Sequence, residues 1–145
     1  ISETALTQAQ RNAQINVNTD CATFQKANVF EALRTYRDKA MSFDMVVLDP
    51  PKFAETRSQT NKALRGYKDI NMLGMKLVKR GGLLATFSCS GAIDPQCFRM
   101  MLTEAAYDAH REIRILDELR QAPDHVEALT FPEGLYLKGL LCRVL

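Results

Sequence analysis

The sequence has 145 residues, about the size of one domain with a single substantial core. Hydrophobic residues make up 46% of it and charged residues 25%, the ordinary balance of a soluble globular protein. The net charge of +2 creates no overall basic field, so contact with a nucleic acid needs a local basic patch. No apolar run is long enough for a membrane span, and ISETALTQAQ does not have the composition of a signal peptide.

The four cysteines, Cys21, Cys89, Cys97 and Cys142, are far apart and form no CxxC pair. This spacing argues against a zinc ribbon and against a small disulfide scaffold, so we expect no metal site. It favours a reducing cytoplasm, where each cysteine is either a small core residue or a reactive thiol.

The first third of the chain predicts two helices and a strand. Ser2 can cap a helix that ends near residues 16–18. Because the chain opens directly on this cap, we expect it to be a fragment of a longer protein. Residues 21–27 predict a short strand, and a helix with an apolar side over residues 30–36 follows.

The middle of the chain predicts two buried strands around a helix. The run Met45-Val46-Val47-Leu48 is apolar and β-branched, which is typical of a strand buried on both faces, and Asp49-Pro50-Pro51 ends it. A polar loop is expected over residues 55–62. The next helix is expected to end at residues 79–82, two basic residues followed by two glycines. Residues 83–87 predict the second buried strand.

The last third predicts a helix and two strands. Asp94 caps the helix, Pro95 takes its first position, and an apolar stripe runs over residues 98–109. Strands are expected at 112–116 and 136–144, without a helix between them. The alternation predicts an α/β fold whose sheet is mostly parallel and ends in an antiparallel hairpin. Such sheets bind ligands at the carboxyl ends of their strands.

One strand end carries Asp49-Pro50-Pro51-Lys52. The two prolines fix their backbone and leave carbonyls without nearby amide donors, which makes a rigid corner rich in acceptors. A planar base with an exocyclic amino group can donate to these carbonyls and to the Asp49 carboxylate, while Phe53 stacks on the ring or walls it. An ordinary turn after a strand is the alternative.

The other strand end carries Cys89 among small residues, Ser88, Ser90 and Gly91. Methylation of carbon 5 of a pyrimidine needs a nucleophile that first attacks carbon 6, and a thiolate is suited to this step. A small core residue at a strand end is the alternative, and it is the better interpretation of Cys89 taken alone. The proximity of Asp49 on the adjacent strand favours catalysis.

Asn28-Val29 follows the strand predicted at 21–27. Nucleotide-binding sheets commonly carry an adenine-binding side chain here, and the amide oxygen of Asn28 can accept from the adenine amino group, although Asn is also a routine loop residue. His125, beside Asp124, is a candidate general base, but a lone loop histidine is more often solvated. His110 ends a helix, and we assign it no function.

Basic residues cluster after the proline corner: Lys52, Arg57, Lys62, Arg65 and Lys68. Together they can hold phosphates near the site, with an affinity that depends on salt. A solvated loop and helix surface explains them equally well.

Four segments carry a family resemblance: FDMVVLDPPKF, RGYKDIN, KRGGLLATFSCS and FPEGLYLKG. In order and spacing they resemble the C-terminal half of the RlmI-type (YccW-like) 23S ribosomal RNA cytosine-5 methyltransferases, over nearly the whole chain. DPPKF followed by FSCS separates this family from amino-methylating enzymes with NPPY or DPPY. The resemblance implies a class I, Rossmann-like methyltransferase sheet, S-adenosylmethionine as cofactor and ribosomal RNA as partner.

The resemblance also implies roles for residues. Cys89 corresponds to the nucleophile, and Asp49 to the residue that binds and polarises the cytosine. The implied cofactor-binding residues are Asn28, Val29, Asp49 and Pro50, and the implied substrate-binding residues are Pro51, Lys52 and Phe53. Asn28 departs from the pattern, because the family usually has an acidic residue facing adenine there.

Some parts of the family's pattern have no counterpart in residues 1–145. These are the PUA domain, a β-hairpin region, the glycine-rich motif, the ribose-binding acidic residue, and strands 1 and 2 of the order 3-2-1-4-5-7-6. We therefore expect the C-terminal portion of one methyltransferase domain, with weak binding of S-adenosylmethionine. The strand around Phe24 would lose its neighbours and the Asp49 strand would expose an apolar edge. Either these two strands re-pair, or chains associate through that edge.

Two alternatives remain open. The chain can belong to a methyltransferase that acts on an exocyclic amine or on guanine, with Cys89 as packing only. It can also be a non-catalytic RNA-binding module whose pocket has lost its activity. Replacement of Cys89 distinguishes carbon-5 chemistry from amine chemistry.

Overall fold

The computed structural model describes residues 2–16, 21–53 and 57–145. The chain divides into two compact units, Ile1–Ala32 and Leu33–Leu145. Its helices and strands, in chain order, are α1 Glu3–Ile15, α2 Val29–Asp38, β1 Phe43–Leu48, α3 Thr60–Leu77, β2 Val78–Ser88, α4 Pro95–Ala109, β3 Ile113–Leu119 and β4 Lys138–Val144. Two short 3-10 turns lie at Arg57–Gln59 and Pro132–Gly134.

The first unit contains α1, which begins as predicted. The Ser2 hydroxyl caps it by accepting a hydrogen bond from the Ala5 amide at 3.3 Å. The helix ends at Ile15, with Asn16 as its C-cap, and residues 17–18 of the predicted end lie outside the described part. The predicted strand at 21–27 is wrong, because residues 22–28 have no regular secondary structure. A strand needs a neighbour for its backbone groups, and no described segment pairs with this one.

The second unit is built on a four-stranded sheet in the order β1-β2-β4-β3. β1 and β2 are parallel, whereas β4 is antiparallel to both β2 and β3. Three strands therefore point the same way and β4 points the opposite way. This is the 4-5-7-6 part of the predicted order, so the predicted class of sheet is confirmed.

The outer edge of β1 has no strand partner among the described residues. The re-pairing expected between this strand and the segment around Phe24 is therefore wrong. Association of chains through the edge stays a prediction.

The burial of β1 differs from the sequence prediction. Leu48 is 6% exposed, but Met45 is 47% and Val47 is 58% exposed, so this strand is not buried on both faces. Within the second unit, α3 and α4 pack on one face of the sheet, against side chains such as Leu84 and Leu140. Side chains alternate along a strand, so the residues on the other face of β1 lie outside this core.

The boundary between α3 and β2 also lies elsewhere than predicted. α3 begins at Thr60, inside the expected loop, of which residues 55–56 lie outside the described part. It ends at Leu77, and the basic pair 79–80 belongs to β2. The register jumps from Phe43↔Val78 to Met45↔Leu83, so residues 79–82 bulge out of the ladder. Gly81 makes this possible with a φ of +82°, which few other residues adopt.

α4 is the helix that the sequence predicted best. The Asp94 carboxylate caps it by accepting from the Cys97 amide at 2.7 Å, and Pro95 is its first residue. The predicted apolar stripe is buried, namely Phe98, Met101, Leu102, Ala105 and Ala109. The helix ends at Ala109. Its C-cap is His110, which has a φ of 55° in the left-handed region and to which we again assign no function.

Candidate active site

The structure brings the two chemically equipped strand ends to the same edge of the sheet. Leu48, the last residue of β1, pairs with Thr86 of β2, and the two strands are parallel. Asp49 comes one residue after this pair and Cys89 three residues after it. Since neighbouring strands lie about 4.8 Å apart, the two segments are close neighbours in space.

Cys89 lies in the segment 88–93, called the Cys89 turn, in which it follows the last residue of β2 and precedes a tight turn over residues 90–93. Its side chain is partly exposed, whereas Ser88 and Ser90 on either side of it are fully buried. The Ser90 amide donates to the Ser88 hydroxyl at 3.4 Å, and the Ser90 carbonyl accepts from the Ile93 amide at 3.1 Å. Because these bonds hold both flanking serines, the backbone presents the thiol at a fixed point of the surface.

Tyr67 of α3 connects this turn to the proline corner. It is fully buried, and its hydroxyl is hydrogen-bonded to the Ser90 hydroxyl at 3.1 Å. Its ring packs against Phe53 with centroids 4.6 Å apart, and against Phe98 at 6.3 Å in an edge-on arrangement. Sequence reasoning missed this residue, although RGYKDIN was one of the segments that carried the resemblance. Tyr67 thus joins the segment after Asp49 to the turn that holds Cys89.

Lys138 is a second residue that the sequence reasoning missed. It is the first residue of β4 and pairs with Ser88. Its ammonium donates to the Ser90 carbonyl at 3.0 Å and to the Tyr136 carbonyl at 2.8 Å. Burial lowers the pKa of Lys138, and the neighbouring Cys89 and Asp94 partly oppose this shift. The signal in the sequence was a lone lysine inside the apolar run LYLKGLL.

The proline corner is open to a ligand. Asp49, Pro51 and Lys52 are exposed, and Pro50 is partly buried. Phe53 is partly buried and packs on the helical core, so only part of its ring is available to another planar group. The corner therefore offers an accessible carboxylate, two rigid carbonyls and one cation.

Asn28 and Val29 belong to the first unit, where they begin α2. The Asn28 amide oxygen accepts from the Phe30 backbone amide at 3.1 Å, and its amide nitrogen donates to Glu31 at 3.0 Å. This reciprocal pattern is that of a helix cap. An amide oxygen has two lone pairs, so Asn28 can still accept a bond from an adenine amino group. Val29, 46% exposed, offers an apolar surface beside it.

The basic cluster is only partly free to bind phosphates. Lys52, Lys62 and Arg65 are exposed, and the Arg57 side chain lies outside the described part of the structure. Lys68 forms ion pairs with Glu104 at 3.1 Å and Asp108 at 3.0 Å, and these hydrogen bonds raise its pKa. This lysine therefore ties α3 to α4.

His125 lies on the loop before β4. It is exposed and bonded to Asp124 at 3.1 Å, and its ring meets that of Tyr136 edge-on at 6.3 Å. Its hydrogen bond lowers the pKa of Asp124. These contacts lie within its own loop, and a role as general base stays a prediction.

Within residues 2–16, 21–53 and 57–145, no three His, Cys, Asp or Glu side chains are grouped as a metal site would require. In the same ranges, no helix has the length and apolar character needed to cross a membrane.

Comparison with curated proteins finds strong similarity to one kind of enzyme. The chain is 50% identical over 145 residues to ribosomal RNA large subunit methyltransferase I of Shewanella amazonensis, 47% over 148 residues to that of Vibrio parahaemolyticus, and 48% over 145 residues to that of Escherichia coli. These alignments cover 99–100% of this chain but only 37% of each relative. No family model matches the chain.

Solved structures with a similar backbone are methyltransferases as well. One is described as a SAM-dependent methyltransferase from Streptococcus mutans, with a TM-score of 0.65 and 16% identity over 80% of this chain and 29% of that protein. Another is a methyltransferase homologue from Pyrococcus horikoshii, with a TM-score of 0.61 and 14% identity over 99% of this chain and 50% of that protein. A methyltransferase solved with SAH matches with a TM-score of 0.60 and 17% identity over 80% of this chain and 30% of that one. At these identities the likeness concerns the fold alone.

Proposed function

Since this chain is related over nearly its whole length to ribosomal RNA large subunit methyltransferase I, we propose that it supplies the catalytic residues of an S-adenosylmethionine-dependent RNA methyltransferase. Its target is carbon 5 of a cytosine in large-subunit ribosomal RNA. One observation carries the proposal: the partly exposed Cys89 thiol lies at the same sheet edge as Asp49 and its proline corner.

The residues that would hold the cofactor are Asn28, Val29, Asp49 and Pro50. S-Adenosylmethionine supplies, when bound, a methyl group on a positively charged sulfonium. Asn28 would accept a bond from the adenine amino group with its second lone pair, and the exposed Val29 would offer an apolar surface to the cofactor. The Asp49 carboxylate favours a positive charge nearby, and Pro50 keeps the backbone beside it rigid.

The target base is held at the proline corner. The Asp49 carboxylate and the Pro50 and Pro51 carbonyls accept from the exocyclic amine of cytosine. Phe53 forms a wall of this pocket, and Lys52 attracts the phosphate next to the flipped nucleotide. These groups would accept from the base, pack against it or attract the adjacent phosphate, so each would contact a different part of the nucleotide.

The reaction needs Cys89 as a thiolate. Its sulfur forms a bond to carbon 6, and the electrons of the 5,6 double bond move toward carbon 5. Carbon 5 bonds to the methyl group, whose bond to the sulfonium breaks and leaves its electron pair on that sulfur, and carbon 5 then gives up its proton to a base. The sulfur–carbon bond breaks, the double bond returns, and Cys89 is free again. The rigid turn between Ser88 and Ser90 orients the sulfur for this attack.

A tritium-release assay tests the target atom. The chain is placed in the Shewanella relative, in exchange for the 37% of that protein that it matches, and the chimera is given RNA labelled with tritium at carbon 5 of cytosine. Methylation at carbon 5 releases the tritium into water, one atom per methyl group transferred. Methylation of an amine or of guanine transfers methyl groups without releasing it.

Cysteine variants of the chimera test the nucleophile. Cys89→Ala is expected to abolish both methyl transfer and tritium release, and Cys97→Ala, also partly exposed, serves as the matched control. Near-normal methyl transfer by Cys89→Ala contradicts the proposal and supports amine chemistry. RNA binding without any methyl transfer, in the folded chimera with its native cysteines, supports a binding module.

A further inference from the structure

Lys138 approaches the Cys89 turn from β4 and has no role in the function proposed above. It is partly buried, and its ammonium rests on two neutral carbonyls, those of Ser90 and Tyr136. Within the part of the chain that the structure describes, it forms no ion pair, whereas Lys26, Lys68 and Lys79 each pair with a carboxylate. Its positive charge is therefore not cancelled by a carboxylate in direct contact.

The position of Lys138 relative to the thiol follows from the sheet. Lys138 pairs with Ser88, the residue before Cys89, and binds the carbonyl of Ser90, the residue after it. An ammonium has three N–H donors, and the two carbonyls use two of them. The third N–H donor of the Lys138 ammonium and its positive charge are therefore available to interact with another group near the Cys89 turn.

Cys89 and Asp94 act on the charge of Lys138, and the cavity beside it is also lined by the ion pair of Arg99 and Glu118 and by Arg120 and Glu133. Cys89 and Asp94 both raise the pKa of Lys138 against the effect of burial, so both lie within its electrostatic range. Asp94 is occupied as the cap of α4, where it accepts from the Cys97 amide. Asp49 and Lys52, after β1, are exposed, and the Tyr67 hydroxyl is hydrogen-bonded to that of Ser90. Arg99 is also a partly buried cation but is paired with Glu118, whereas Lys138 is partly buried and has no carboxylate in direct contact, so its charge is weakly screened by solvent.

We propose that Lys138 is a positioning residue for the Cys89 thiolate, which its ammonium stabilises while its bond to the Ser90 carbonyl holds the turn in place. The role rests on the proposed carbon-5 function, which needs this cysteine to ionise. A thiolate next to a cation forms more readily and reacts faster at neutral pH.

Alkylation kinetics test the proposal without RNA or cofactor. The chain is treated with iodoacetamide at pH 7 and low salt, where a thiolate displaces iodide, and modification of Cys89 is followed by peptide mass spectrometry. Lys138→Met and Lys138→Gln are expected to slow Cys89 modification by roughly threefold to tenfold. Their pH profiles are expected to move to higher pH. Lys138→Arg keeps the charge and several N–H donors, and it is expected to stay within about twofold of the native rate.

Two controls separate charge from structure. Lys79→Met removes an exposed lysine at the opposite end of β2 from Cys89 and is expected to leave the Cys89 rate unchanged. Cys142 is buried, so faster modification of Cys142 in a variant reports loss of the fold instead of loss of a charge. Lys138→Gln retains a hydrogen-bond donor and therefore provides a folded, uncharged variant if Lys138→Met unfolds.

A native Cys89 rate in folded Lys138→Gln overturns the proposal. So does a slow rate in Lys138→Arg equal to that in Lys138→Met, because the charge would then have no part. The test is separate from that of the proposed function. If Cys89 reactivity follows the charge at 138 while the chimera releases no tritium, the positioning role stands and the carbon-5 chemistry fails.

Discussion

The hydrogen bond between Tyr67 and Ser90 joins α3 to the Cys89 turn, and Tyr67→Phe removes it with little change of shape. Both side chains are fully buried, so the bond is made away from water. A hydrogen bond of this kind contributes about 0.5–1.5 kcal/mol, and loss of one partner in a buried site costs about 1–3 kcal/mol. We expect Tyr67→Phe to lower the free energy of unfolding by about 1–2 kcal/mol. For a chain of this size that is roughly 3–8 °C in Tm.

The assay for this prediction is urea unfolding followed by circular dichroism at 222 nm, since the chain contains no tryptophan. A double-mutant cycle with Ser90→Ala isolates the bond. Removing both partners is expected to cost less than the sum of the two single changes, by about 0.5–1.5 kcal/mol. Tyr67→Phe with native stability, or strictly additive single variants, would refute the reasoning. The pair would then contribute nothing to holding the turn.

Three further predictions concern the packing around Gly82, the burial of Cys142 and the affinity of residues 1–145 for S-adenosylmethionine. Gly82→Ala is expected to destabilise the fold by about 1–3 kcal/mol in the same assay, because its Cβ would lie 2.7 Å from the Asp44 carbonyl oxygen and 3.0 Å from that of Lys79. Gly91→Ala, with no atom within 4 Å of its Cβ, is the control and should stay within about 0.5 kcal/mol of native. Burial raises the pKa of Cys142 to about 11 from 9.0, which favours the neutral thiol in the folded state. The preference for the neutral thiol adds about 2–3 kcal/mol to the free energy of unfolding below pH 9, and this amount is lost as the pH rises from 9 to 11. The free energy of unfolding of Cys142→Ala should therefore fall less between pH 9 and pH 11 than that of the native chain. Residues 1–145 alone are expected to bind S-adenosylmethionine weakly, and a dissociation constant of about 10 μM or lower by calorimetry would contradict this.

Local signals explain the parts of the fold that the sequence predicted well. The Asp94 cap, Pro95 and the apolar stripe of α4 all act within one helix, so their pattern is readable without knowledge of the rest of the chain. The order of the strands was available because the quoted segments resemble a family whose sheet has a fixed order. The proline corner and the Cys89 turn were found because they end predicted strands.

The wrong predictions and the missed residues depend on contacts between segments that are far apart in the sequence. The apolar run of β1 is compatible with a strand covered on one face or on both faces. The sequence therefore could not predict that Val47 is exposed. The strand expected at 21–27 fails because a strand depends on its neighbours. The residues missed at the site act over long separations: Tyr67 reaches Ser90 across 23 positions and Lys138 reaches it across 48.

A covalent trap tests the central claim most directly. The chimera is incubated with S-adenosylmethionine and ribosomal RNA that carries 5-fluorocytosine, in which carbon 5 has no proton to lose. The sulfur–carbon bond formed by Cys89 then cannot be released, and a denaturation-resistant complex of protein and RNA accumulates. We predict that this complex forms, that its cross-linked peptide contains Cys89, and that Cys89→Ser abolishes it. A methylating chimera that forms no such complex, or forms it equally well with Cys89→Ser, would contradict the assignment of Cys89 as the nucleophile.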